Sequence, residues 1–191
     1  METKRIINVP FNKEQVIELK AGDYVYLTGT LYSARDAAHK RLYDSIIEHK
    51  NLPLDLTDNI FYYLGPTPAK EGQVIGSAGP TTSSRMDKYT PLLLSKGLTG
   101  MIGKGKRSKE VIDAIVENKA VYFAAVGGAG ALLSKCIKES EVIAYDDLGT
   151  EAIRKMRVED FPVIVVIDSE GNNLYETAVE EYLKKKTSYH M

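Results

Sequence analysis

LTGMIGKGKRSKEVIDAIVENKAVYFAAVGGAGALLSKCIK, residues 98–138, decides the fold class. LTGMIGKG (98–105) reads as a strand running into a glycine-flanked loop. Ser108 stands where an N-cap hydroxyl opens a helix carrying Val111, Ile112, Ile115 and Val116 on one face. Residues 120–126 form a second apolar strand, and 127–138 a helix opened by glycines. Strands and helices alternating at this spacing predict an α/β domain of layered sheets and helices. Upstream, 85–96 places Met86, Tyr89, Leu92 and Leu93 on one helical face, with Gly97 as its C-terminal stop. Residues 36–49 carry Ala38, Leu42, Ile46 and Ile47 at helical spacing, with Asp36 facing the first-turn amides. Short β-prone runs occupy 5–9 and 15–19, and YVYLTGT (24–30) alternates as a strand that Gly29 interrupts. IFYYLGP (60–66) and GQVIGSAGP (72–80) read as two strands joined by a Pro/Gly turn. Downstream come a strand at 141–145, a short helix near 150–157, and the apolar strand FPVIVVID (161–168) closed by SEGNN. The stretch 177–191 is expected to be a short helix with a frayed end. Residues 1–177 read as one domain and 178–191 as a tail.

The chain has 191 residues, with 25 Lys+Arg against 26 Asp+Glu, so it carries no global field to hold nucleic acid or an anionic membrane. An anionic small molecule must therefore be gripped by a local cluster of cations. One cysteine, Cys136, excludes an internal disulfide and any self-contained four-cysteine zinc or iron–sulfur site. No apolar run approaches the roughly 20 residues of a membrane span, and METKRIINVPFNKEQ lacks a signal-peptide core, so a cytoplasmic location is expected.

Four segments combine small residues with charged or reactive groups at expected strand ends: 28–39, 76–85, 103–108 and 125–131. Glycines there let backbone amides approach an anion. Arg35 and Arg85 each present a planar fork suited to a carboxylate, and Lys104 lies between Gly103 and Gly105; together they suit a dicarboxylate. The competing explanation is a surface ion pair for each arginine, with Asp36 and Asp87 as near candidates. Thr81, Thr82, Ser83 and Ser84 form a hydroxyl-rich turn, explicable as helix capping by Ser83 or Ser84. A proton-abstracting Thr81 requires nearby cations to stabilise its alkoxide, and Arg85 is one helical turn along. Lys106 and Arg107 read as a solvated charge pair. GKGKRS lacks the P-loop spacing, and GGAG lacks that of a dinucleotide fingerprint. His39, one turn after Arg35, either lines the same site or hydrogen-bonds beside it, and Cys136 reads as a small apolar filler.

LTGTLYSARDAAHKRL, IFYYLGPTPA, VIGSAGPTTSSRMDKY, MIGKGKRS, YFAAVGGAGALL, DDLGTEAI and VEDFPVIVVID occur in this order over roughly residues 5–177. The ordered set resembles the β subunit of class I, iron–sulfur-dependent fumarases, equivalent to the C-terminal domain of the single-chain members and related to the β subunit of L(+)-tartrate dehydratase. The resemblance implies a swivelling β/β/α domain and a hydro-lyase subunit for the reversible hydration of fumarate to L-malate. It implies a [4Fe–4S] cluster ligated by three cysteines of a partner α subunit, in a hetero-oligomer of α2β2 type that is inactive as this subunit alone. By motif, Arg35 and Arg85 are similar to the family's carboxylate clamps, Lys104 to its third cation, and Thr81 to the residue proposed to remove the C3 proton of malate. Thr82 and His39 are candidate lining residues.

Two departures stand out. The spacing from Arg85 to the GKG lysine is one residue shorter than in some members, and Ser83-Ser84 stands where Ala-Gly is often found. GKGKRS followed by a helix looks more like fumarases than tartrate dehydratases. The remaining alternatives are the tartrate dehydratase β subunit or another dicarboxylate hydro-lyase, a partnerless dicarboxylate-binding module, and a nucleotide-binding domain using GKGKRS.

Overall fold

The computed structural model describes residues 4–125 and 130–178. Strand β1 (Ile6–Val9) precedes helix α1 (Lys13–Ile17), and β2 (Tyr24–Ser33) leads into α2 (Asp36–Ile47). Then follow β3 (Ile60–Tyr62), α3 (Thr90–Ser95), β4 (Gly100–Gly103), α4 (Lys109–Asn118) and β5 (Val121–Ala125). Helix α5 (Gly130–Cys136), β6 (Ile137–Ala144) and the long β7 (Ile153–Ile167) follow, and residues 174–178 are helical.

β2 pairs in parallel with β3, β3 with β4 and β4 with β5, while β7 lies antiparallel to both β5 and β2. The pairings return to their start, so these strands close a barrel, with β1 added beside β2 and β6 beside β7. Side chains alternate across each strand with the period of the pleat. Ile60, Tyr62, Ile102, Val121 and Phe123 fill the interior with Leu27, Leu31, Phe161, Val163 and Val165. Phe61, Tyr63, Met101 and Tyr122 face outward, where Leu42 of α2, Leu93 and Leu94 of α3, and Val111 and Ile115 of α4 cover them. The α/β class and the layering of helices on strands are as the sequence predicts, and no described helix is long and apolar enough to cross a membrane.

Several elements differ from expectation for local reasons. The β-prone run at 15–19 falls in and after α1, because Asn12 and Gln15 form a reciprocal capping box and Val16 is the residue that helix buries. Residues 72–80 form no strand: Gln73 closes a turn on Lys70, Ser77 N–H donates to Thr67 Oγ1 (2.8 Å), and Pro80 alone bridges to Leu64. The helix expected over 85–96 splits into a 3-10 turn (Ser83–Met86) and α3, with Pro91 in the first turn of α3 and Asp87 engaged elsewhere. The short helix expected near 150–157 is instead the end of a 3-10 turn (Asp146–Glu151) and the start of β7. There Ile153, Met156 and Val158 are buried while Lys155, Arg157 and Glu159 are exposed, a strand pattern that the sequence contains. Helix α5 stops at Cys136, so Ile137 and Lys138 belong to β6. The glycines expected to open α5 at 127–129, and the tail beyond 178, lie outside the described residues.

Candidate active site

Because β2, β3, β4 and β5 run in parallel, the segments after them emerge on one rim of the barrel, the usual location of ligand sites in α/β folds. Arg35 follows β2, the 63–85 segment follows β3, and Lys104 follows β4.

Thr81 N–H donates to the Tyr63 carbonyl (2.8 Å), Thr82 forms a parallel bridge with Lys104, and Ser83 N–H donates to the Lys104 carbonyl (2.9 Å). The Lys104 N–H returns a bond to Ser83 Oγ (3.0 Å). Ser83 is not a helix cap: its buried hydroxyl lies 2.9 Å from the Tyr122 hydroxyl, which donates to the Gly105 carbonyl at 2.9 Å. Burial pushes the Tyr122 phenol well above its ordinary range, so it keeps its proton. Since that one proton goes to Gly105, proton counting directs the chain from Lys104 N–H to Ser83 Oγ–H to Tyr122 Oη–H to the Gly105 carbonyl. Gly103 makes the approach possible, since a Cβ there would lie 1.9 Å from Ser83 Oγ. The turn bearing Thr81, Thr82 and Arg85 is thus joined to the loop bearing Lys104.

Arg35 occupies the N-cap position of α2 without capping it. That task falls to Glu151, whose Oε2 accepts the Ala37 N–H (2.9 Å) while Oε1 lies 3.3 Å from Arg35 Nη2. The Arg35 side chain is 18% exposed and passes over Gly65, where a Cβ would fall 2.2 Å from Nη1. Asp36 faces both arginines: Arg85 Nε donates to Oδ1 (2.8 Å), and Arg35 Nε lies 3.7 Å from Oδ2. Arg85 is 51% exposed. Asp36 is therefore an ion-pair partner for both arginines, whereas Asp87, the other expected partner, pairs with Arg107, and the shared carboxylate brings the two guanidinium groups to one place. Lys104 and Thr82 are exposed and Thr81 is half-buried.

His39 lies beneath this surface and does not line it. It is fully buried, edge-on to Phe61 and Tyr63, with Nδ1 2.9 Å from the Arg35 carbonyl. A carbonyl only accepts, so Nδ1 carries the proton and the ring is neutral; burial lowers its pKa from 6.5 to about 4. Arg107 is likewise no solvated charge. Its Nε donates to Asp87 (2.7 Å) and Nη2 to Thr90 Oγ1 (2.9 Å), with the guanidinium set against the rings of Tyr63 and Tyr122. Asp87 also accepts the Ser108 N–H (2.7 Å), and Ser108 caps α4 as expected. Glu151 and the Ser83–Tyr122 chain were not singled out in the sequence. The charge inside DDLGTEAI is a local signal for Glu151, whereas nothing local pairs Ser83 with Tyr122.

The chemistry of this rim is two arginines and a lysine opposed by two carboxylates, beside a hydroxyl-bearing turn, an arrangement suited to a small dianion. The chain matches a family model described as Fumarase C-terminus over residues 2–178. It is 42% identical over 157 residues to the anaerobic class I fumarate hydratase of Escherichia coli K12, covering 81% of this chain and 29% of that protein. It is 39% identical over 165 residues to fumarate hydratase 2 of Leishmania major, covering 85% of this chain and 29% of that protein. With the putative L(+)-tartrate dehydratase subunit beta of Methanocaldococcus jannaschii it shares 37% identity over 179 residues, covering 91% of this chain and 92% of that protein. The chain thus spans under a third of these two fumarate hydratases but nearly all of the tartrate dehydratase subunit. The order of its motifs, the match over residues 2–178 and the near-complete overlap with the tartrate dehydratase subunit make this chain a member of the fumarase C-terminus family.

Proposed function

We propose that this chain is the β subunit of a two-chain hydro-lyase that hydrates fumarate reversibly to L-malate. The observation that carries the reading is the meeting of Arg35 and Arg85 at Asp36 beside a Thr81 turn joined to the Lys104 loop. Arg35 and Arg85 hold the substrate carboxylates, and Lys104 adds the third cation. Thr81 removes the C3 proton of malate, its alkoxide stabilised by these cations, which also favour the charge that develops on the adjoining carboxylate. Thr82 stands at the same turn.

A [4Fe–4S] cluster of the kind this family implies takes thiolate ligands. This chain's residues do not fit it: the single thiol, Cys136, points at the carbonyls of Leu132 and Asp160, and the described residues contain no group of three metal-ligating side chains. The cluster is accordingly assigned to a cysteine-bearing α subunit, which forms with this chain a cytoplasmic hetero-oligomer of α2β2 type. The near-complete overlap with a protein named as a separate beta subunit supports a two-chain arrangement and makes tartrate the second candidate substrate.

The test is anaerobic co-expression with the α chain, followed by assays with fumarate and tartrate. Fumarate turnover that requires both chains and falls by about two orders of magnitude or more in Arg85→Ala and in Thr81→Ala supports the reading. Turnover of tartrate alone transfers the same chemistry to the second substrate, and undiminished turnover in an assembled Thr81→Ala complex removes Thr81 as the base.

A further inference from the structure

We propose that Asp36 is a positioning residue of the carboxylate clamp, holding Arg35 and Arg85 at a fixed separation and orientation. The inference rests on the dicarboxylate reading and assigns a task to a residue that binds no substrate itself. A free arginine samples many rotamers, and ordering it costs conformational entropy. Here that cost is met before a ligand arrives. Arg85 Nε donates to Asp36 Oδ1 at 2.8 Å, leaving the outer pair of Nη groups on a side chain that is half exposed. Arg35 Nε lies 3.7 Å from Oδ2 of the same carboxylate, while its Nη2 meets Glu151. The groups form a line of alternating charge, Glu151, Arg35, Asp36 and Arg85. Both ends are anchored in the fold: Glu151 by the Ala37 amide of α2, and Arg85 by the 3-10 turn joined to the Lys104 loop. Asp36, in the first turn of α2, is the central member.

Electrostatics and positioning predict opposite signs for one substitution. Asp36→Asn keeps the shape and removes a negative charge beside a dianion's binding place; Coulomb attraction alone would then tighten binding. If Asp36 positions the clamp, the bond to Arg85 loses its charge assistance, becomes weaker, and binding weakens with it. In the assembled complex, the expected result is a KM for fumarate raised roughly tenfold with kcat changed much less, and a larger KM rise in Asp36→Ala. A KM unchanged or lowered in Asp36→Asn overturns the proposal while leaving the fumarase reading intact. A second readout needs no turnover. In the chain labelled with 15N at arginine Nε, the Arg85 Nε–H resonance should be slow to exchange in wild type and fast in Asp36→Ala, which removes the acceptor. Equal exchange in both overturns the proposal even if the function reading stands. A wild-type complex that turns over no dicarboxylate sinks that reading and, with it, the clamp that Asp36 is said to position.

Discussion

His39 illustrates how a side chain's chemistry depends on where the fold places it. Beside Arg35 in sequence it has the profile of a proton donor or acceptor, but in the barrel's outer layer it is a neutral packing residue with one hydrogen bond. Because burial lowers its pKa from 6.5 to about 4, the unfolded chain binds the proton more tightly. Its linkage contribution is therefore fully present above about pH 6.5 and is lost as the pH falls toward 4. The total at stake is on the order of 3–4 kcal/mol, taking about 1.4 kcal/mol per pH unit. Urea unfolding followed from pH 7 to pH 4 should show wild type losing more stability than His39→Gln across that window; parallel curves would contradict the assignment. Asp36 and Asp87 show the same dependence on placement. Both were legible as carboxylates near arginines, but Asp87 serves the buried Arg107 and Asp36 serves the two site arginines. Sequence distance does not distinguish them, because Asp36 and Arg85 are 49 positions apart.

Among the elements, those with strong local signals were read directly: the Ser108 cap of α4, the left-handed Gly97 after α3, the amphipathic α2 and the apolar strands β4 and β5. The misread elements carried competing signals. At 15–19 a capping box outweighed β propensity, and at 153–158 alternating charged residues concealed a strand that pairs on both edges. The junction between the TTSSR turn and the GKG loop depends on no local signal, since Ser83 meets a tyrosine 39 positions away. It should behave as one unit. Ser83→Ala and Tyr122→Phe are each expected to cost about 1–2 kcal/mol by leaving buried polar groups unpaired. The double variant should cost less than their sum by about 1 kcal/mol, because either change breaks the same chain. Denaturant titration of the four proteins measures the coupling, and strict additivity would show that the two hydroxyls act independently.

For the whole molecule, the closed barrel supplies an apolar core of its own, filled by side chains from β2, β3, β4, β5 and β7. The chain produced without iron or an α partner should therefore give the same far-UV circular dichroism and melting temperature as the chain released from an assembled complex. A large loss of either would mean that the partner, and not the barrel, supplies the fold's stability. The sequence by itself determined the α/β class, the elements with strong local signals and the lack of enough thiols for a cluster, and it contained the cations and hydroxyls proposed to carry the chemistry. The class, the elements and the thiol count follow from periodicity, capping and composition, which are local or additive, whereas the site residues were legible through the ordered motifs. Only the tertiary structure decided that the strands close into a ring, that His39 and Arg107 lie in the interior, that Glu151 caps α2 and that Asp36 faces both arginines. Those outcomes depend on strand pairing and on burial between distant segments, where the energy of a contact is set by what the rest of the chain brings alongside it.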